Sequence, residues 1–204
     1  MILPGDRLIF VHIQKTGGSS VTSALGGSEH PPEKHWLARE LRDRYGRETW
    51  NDCYRFAFVR NPWDRLVSWW SMIDNQKTAI AAGARANTFF RYVLERAETF
   101  EDFLHKCGDE VRDPDGRKCI WRNQLDYLCD EDGVSMVDFI GRFETLDQDF
   151  AAVTRHVYGA SRPLPRTNAS RRRPYVDYYT PELTAMVTEA YADDIAAFGY
   201  RFGE

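Results

Sequence analysis

The segment that most constrains this chain is an apolar run, Leu8-Ile9-Phe10-Val11, that passes through His12-Ile13-Gln14 into Lys15-Thr16-Gly17-Gly18-Ser19-Ser20. A short stretch that can be helical, 21–25, follows. Strand, tight glycine turn and helix start together form an anion site, because the first amides of a helix point outward with the positive end of its dipole. Glycines let backbone approach a ligand that a Cβ would hold off. Lys15 adds a point charge, and Thr16, Ser19 and Ser20 add hydroxyl donors. The plain alternative is a strand-to-helix turn whose glycine pair serves packing and whose lysine is solvated. A Walker A loop is ruled out by order: that loop places Lys-Ser/Thr after its second glycine, and here the lysine comes first. No strand ending in a Mg-binding Asp stands out either, which argues against an ordinary ATP or GTP enzyme.

A second string carries similar weight. Phe56-Ala57-Phe58-Val59 reads as a buried parallel strand, and Arg60-Asn61-Pro62 follows it, with Asn as helix cap and Pro at the first helical position. A helix over 63–73 is expected. Arg60, at the strand's carboxyl end, offers a planar fork for phosphate oxygens, and Ser68 a hydroxyl two turns into the helix. Read alone, Arg60 is equally a surface ion-pair partner and Ser68 an ordinary helix residue.

Taken together, His12–Ser20 resembles the 5′-phosphosulfate loop of PAPS-dependent sulfotransferases, and Phe56–Ser68 resembles the same family's 3′-phosphate motif. The likeness is closest to the carbohydrate branch that includes the heparan sulfate O-sulfotransferases, as a small bacterial-type member. It implies an α/β, P-loop-like sulfotransferase fold with a central, mainly parallel sheet and helices on both faces. It implies PAPS as co-substrate and PAP as product, with no metal. Lys15, Thr16, Gly17, Gly18, Ser19, Ser20, Arg60 and Ser68 would hold the nucleotide, and Lys15 would also act in catalysis. Two motifs at two strand ends agree with the rule that open parallel sheets bind ligands outside the carboxyl ends of their strands.

The base implied for sulfuryl transfer is His35. A residue that takes the acceptor proton suits a histidine pKa near 6.5, and related carbohydrate enzymes carry a His between the two motifs, where Lys34-His35 stands. Apolar Trp36, Leu37, Leu41 and Tyr45 predict a helix over 33–45 with His35 near its start. A solvent-exposed histidine is the plain alternative; His30 is the reserve, and Glu33 a weaker one. His12, inside the first strand, reads as a hydrogen-bonded structural residue.

Further along, 46–53 reads as a polar connection and 74–98 as loop plus helix. Thr99 reads as a cap, 109–117 as a charged turn, and Asn123 and Gln124 either face the acceptor or form core helix surface. A third strand is expected over 136–144, with Arg142 and Glu144 as a structural ion-pair element, then a helix to 158. The Arg-rich loop 163–174 resembles the family's C-terminal cofactor loop. This assigns Ser170 and Arg171 to the nucleotide and leaves Arg172 and Arg173 for an anionic acceptor. A last helix is expected over 181–198.

Length and composition bound the rest. The 204 residues predict one domain, 1–204, able to bury roughly 70% of its unfolded surface. With 43% hydrophobic and 14% aromatic residues the chain is globular, and a net charge of −4 gives no basic field for nucleic acid. No leader-like or membrane-length apolar run occurs, which predicts a soluble cytoplasmic protein without a membrane partner. Cys53, Cys107, Cys119 and Cys129 form no CxxC pair, so reduced thiols are expected.

The function expected is sulfuryl transfer from PAPS to an acceptor hydroxyl, on a carbohydrate or glycosylated small molecule. The alternatives are a P-loop-like kinase or NTPase and a catalytically inactive PAP-binding module.

Overall fold

A computed structural model describes residues 1–3, 7–28, 30–113, 116–165 and 172–204. In chain order these form β1 (Leu8–Val11), α1 (Gly18–Ala24), α2 (Ala38–Tyr45), α3 (Arg47–Asp52), β2 (Tyr54–Val59), α4 (Pro62–Asp74), α5 (Lys77–Ala81), α6 (Thr88–Leu94) and α7 (Phe100–Lys106). After these come β3 (Val111–Asp113), β4 (Gly116–Lys118), β5 (Phe139–Arg142), α8 (Leu146–Tyr158), α9 (Pro181–Ala190) and α10 (Ala192–Phe198). They divide into two compact units, Met1–Arg60 with Gln124–Ala169, and Asn61–Asn123 with Ser170–Glu204.

The first unit is a three-stranded parallel sheet in the order β1-β2-β5, flanked by helices. Phe10 pairs with Phe56 and Val11 with Ala57, while Phe56 pairs with Phe139 and Val59 with Arg142. Side chains alternate across a strand, so Leu8, Phe10, Phe56 and Phe58 share one face. They pack there with Val21 and Leu25 beside α1 and with Phe150 and Val153 of α8. The residues between them, Ile9, Val11, Ala57 and Val59, are just as buried. A sheet covered on both faces explains why its strands read as continuous apolar runs rather than alternating ones. Asp138 sets the register at the sheet's lower edge. Its carboxylate takes Arg55 Nε at 2.8 Å and Nη2 at 2.6 Å, and its amide bonds the Arg55 carbonyl at 2.8 Å.

The second unit is built on α4, buried around nearly its whole circumference by Trp63, Leu66, Val67, Trp69, Trp70 and Ile73. Asn61 caps it as the sequence predicts, accepting from the amides of Trp63 at 3.1 Å and Asp64 at 3.3 Å. Its Nδ2 donates onward to the Arg201 carbonyl at 3.0 Å. Thr99 caps α7 by accepting from the Asp102 amide.

Several boundaries differ from expectation. The third strand pairs only over Phe139–Arg142 and gives way to a 3-10 turn at Phe143–Thr145. The last helix breaks at Tyr191, whose buried hydroxyl donates to the Ile120 carbonyl and accepts from Arg65 Nη1 at 3.3 Å. An anchored side chain at the junction replaces the straight helix that periodicity suggested. The charged turn is a β3–β4 hairpin enclosing a Lys118–Asp113 ion pair, both side chains buried. The connection 46–53 contains α3, which turns Trp50 inward.

Candidate functional site

The site in the first unit begins where β1 ends. Gly17 stands left-handed at φ 82°, and the first helical bonds of α1 run from the Ser20 and Val21 amides back to the Gly17 carbonyl. The Gly18 and Ser19 amides therefore precede the first intrahelical bond, as an anion cradle needs. Gly18 also answers to packing. A Cβ there would stand 2.0 Å from His12 Nε2, so the packing and the ligand readings of the glycine pair both hold for this residue. Thr16 is fully buried and its hydroxyl donates inward to the Ile13 carbonyl at 2.9 Å. The hydroxyl is thus committed inward, not the outward donor expected from the sequence.

Lys15 and His35 share an unusual property. Among the described residues they are the only non-glycines with positive φ, at 69° and 66°. Left-handed backbone costs a side-chain-bearing residue about 1 kcal/mol or more, and such strain collects at functional sites. His35 does not open a helix as predicted. It lies in the turn before α2, which begins only at Ala38, after Glu40 Oε2 has accepted from the Leu37 amide at 2.9 Å. The two prolines at 31 and 32 and the left-handed His35 stop helical bonding from reaching further back.

His12 joins these parts. Its ring stacks on Phe10 with centroids 5.2 Å apart and meets the His35 ring edge-on at 4.6 Å. The same ring fills the space over Gly18, so the His35 imidazole stands one ring away from the start of the cradle. Burial, and to a lesser degree the charges of Lys34 and the N-terminus, push the His12 pKa down to about 3. It is neutral at ordinary pH and structural, though packed and not hydrogen-bonded as expected, since its Nδ1 has no partner.

The second motif converges on the first. Arg60 leaves the end of β2, and its Nη1 donates to the Lys15 carbonyl at 2.9 Å, while its guanidinium lies 3.8 Å over the Phe143 ring. The Arg60 peptide is gripped by Gln124, whose Oε1 accepts from the Arg60 amide at 2.9 Å and whose Nε2 donates to the Arg60 carbonyl at 2.8 Å. Tyr127 donates to Gln14 Oε1, tying the residue before Lys15 to the same segment. Gln124, Tyr127 and Phe143 thus gather around Lys15 and Arg60, and the sequence motifs mark none of the three. Gln124 is completely buried and turned to Arg60. Its only mark in the sequence is a second amide beside Asn123, in a segment that also carries Arg122 and Asp126. In the string expected to carry an ion-pair element at Arg142 and Glu144, Phe143 supplies the ring under the Arg60 guanidinium.

A family model described as the sulfotransferase family matches residues 1–201. The chain belongs to the sulfotransferase family. Neither the comparison with curated proteins nor that with solved structures gave a match. In this sulfotransferase-family chain Ser68 lies on α4 of the second unit, buried but for 8% of its surface. Arg172 of the same unit pairs with Asp64, and Arg173 lies 4.8 Å over the Tyr178 ring, so both have protein partners. Ser170 and Arg171 lie outside the described residues. The four cysteines are free thiols, with Cys107 pushed up to about 11 by burial. Among the described residues no helix is long and apolar enough to cross a membrane.

Proposed function

We propose that this chain transfers a sulfuryl group from PAPS to an acceptor hydroxyl, releasing PAP. The observation that carries the reading is the Arg60–Lys15 contact: the two phosphate motifs meet at the carboxyl ends of adjacent parallel strands, in a chain of the sulfotransferase family. The single-domain reading of 1–204 rests on one family model running through both units.

The residues present fit such a nucleotide. The Gly18 and Ser19 amides and the Ser19 and Ser20 hydroxyls are assigned to a 5′-phosphate, with Gly17 supplying the left-handed turn and Thr16 bracing the loop through the Ile13 carbonyl. Arg60 and Ser68 are assigned to the 3′-phosphate, and Ser170 and Arg171 to the closing loop. When bound, PAPS supplies a sulfuryl group on a phosphate leaving group. Lys15 then places its ammonium where charge gathers on the departing oxygen, a kind of stabilisation worth about 3–4 kcal/mol per preorganised donor elsewhere. His35 takes the proton of the attacking hydroxyl, worth about 10²–10⁴-fold. His12, held neutral, gives the His35 ring a fixed uncharged wall. Lysine and arginine meet the phosphate charge with no metal in the scheme. The resemblance of the two strings to the carbohydrate branch favours a sugar hydroxyl, on an oligosaccharide or glycosylated small molecule.

Calorimetric titration of PAP and of ADP, without Mg²⁺, into wild type and Lys15→Ala tests this. PAP is expected to bind at least about tenfold more tightly than ADP, a gap that one charge-assisted phosphate contact can supply, and to weaken in the variant. Equal binding of the two nucleotides, or binding only with Mg²⁺, would replace this reading with a kinase-like one. PAP binding with no turnover on any acceptor would mark an inactive module.

A further inference from the structure

The Gln124 carboxamide does something its position in a polar-looking segment conceals. At Val59 the β2 strand still has a ladder partner, Arg142 of β5, but the register stops there. One residue on, the Arg60 amide and carbonyl find their partners in a side chain: Gln124 Oε1 at 2.9 Å and Nε2 at 2.8 Å. A carboxamide has the donor and acceptor of a peptide group, so Gln124 stands in for one further residue of a neighbouring strand. Its complete burial excludes water as a substitute. The arginine is therefore fixed at its root by Gln124 and at its tip by the Phe143 face at 3.8 Å and the Lys15 carbonyl at 2.9 Å.

We propose that Gln124 is a positioning residue for nucleotide selection. By clamping the Arg60 peptide it aims the guanidinium, and with it the preference for a nucleotide that carries a 3′-phosphate. This rests on the PAPS reading above. A flexible arginine loses the directional advantage of its planar fork, so a freed Arg60 costs PAP more than it costs ADP, which has no 3′-phosphate. The Phe143 ring is the second half of the clamp, because it fixes the guanidinium plane.

The test measures the ratio of PAP to ADP affinity by calorimetry for wild type, Gln124→Met and Phe143→Leu, with urea midpoints alongside. Methionine keeps the volume of Gln124 and removes both hydrogen bonds. The expected result is an affinity for PAP lowered about tenfold in Gln124→Met, the size of a charge-assisted phosphate contact, with ADP affinity changed much less. Phe143→Leu is expected to shift the ratio the same way, and decides the matter if Gln124→Met does not fold. A merely structural Gln124 would lower the urea midpoint and leave the ratio within about twofold of wild type; that result overturns the proposal. If wild type itself fails to prefer PAP, the PAPS reading falls first and the proposal falls with it, so the two failures are separable.

Discussion

The His12 ring stands edge-on to His35 at 4.6 Å and occupies the space that a side chain on Gly18 would need. One neutral imidazole therefore braces both the proposed base and the start of the proposed phosphate cradle. Changes at residue 18 should reach residue 35 without any contact between them.

Gly18→Ala tests that link. A Cβ placed 2.0 Å from His12 Nε2 has no room unless the ring moves, and overpacking of this kind costs about 1–3 kcal/mol. The urea midpoint should fall accordingly, and PAP binding should weaken. Adding His12→Ala should recover part of the lost midpoint, giving a non-additive double-mutant cycle. Strict additivity would show that the ring does not press on residue 18.

His35 can be probed without disturbing its backbone. Asparagine tolerates the left-handed region better than most residues, so His35→Asn removes the base and keeps the φ 66° turn. Turnover is expected to drop about 10²–10⁴-fold while PAP affinity stays near wild type. A variant that loses PAP affinity in step with turnover would place His35 in nucleotide binding instead.

His12 sets an acid limit on stability. In the unfolded chain its pKa returns to about 6.5, whereas burial, chiefly, holds the folded value at about 3. Between those values the unfolded state binds more protons, so stability falls as pH falls, by up to roughly 1.4 kcal/mol per unit. Urea midpoints measured from pH 7 to pH 4 should show that slope, and His12→Gln should flatten it. An unchanged slope in the variant would assign the acid sensitivity to other groups.

Asp138 should matter more than an exposed carboxylate. Its two oxygens hold the Arg55 side chain and amide, joining β2 to β5. Burial alone would raise its pKa; the Arg55 hydrogen bonds outweigh that and hold it below the usual carboxylate value. Asp138→Asn is expected to cost about 1–3 kcal/mol in a urea titration near neutral pH. Because a lowered carboxyl pKa stabilises above its unfolded value, the difference from wild type should shrink below pH 4.

Much of this was legible beforehand for a physical reason. Strand character, the glycine pair, and the Asn61-Pro62 cap are local, and they gave β1, β2, α4 and the placement of Lys15 and Arg60 without reference to the rest of the chain. The errors came where distant residues decide. Tyr191 breaks the last helix because its hydroxyl reaches Ile120, 71 positions away, which no apolar period records. Gln124 is 64 positions from Arg60, and a buried amide looks the same in sequence whether it faces a ligand or a backbone. His35 falls outside α2 because the left-handed turn before Leu37 delays the start of the helix to Ala38, and a left-handed histidine has no mark of its own in a sequence.

The positive φ of Lys15 and His35 also bears on how such a chain would drift under laboratory evolution. At both positions glycine or asparagine suits the backbone better than the residue present, so selection for heat resistance alone would favour replacing the two side chains assigned to the chemistry. The most thermostable descendants of this sequence would then be its least active ones, and a screen that scores survival without scoring turnover would discard the catalyst first.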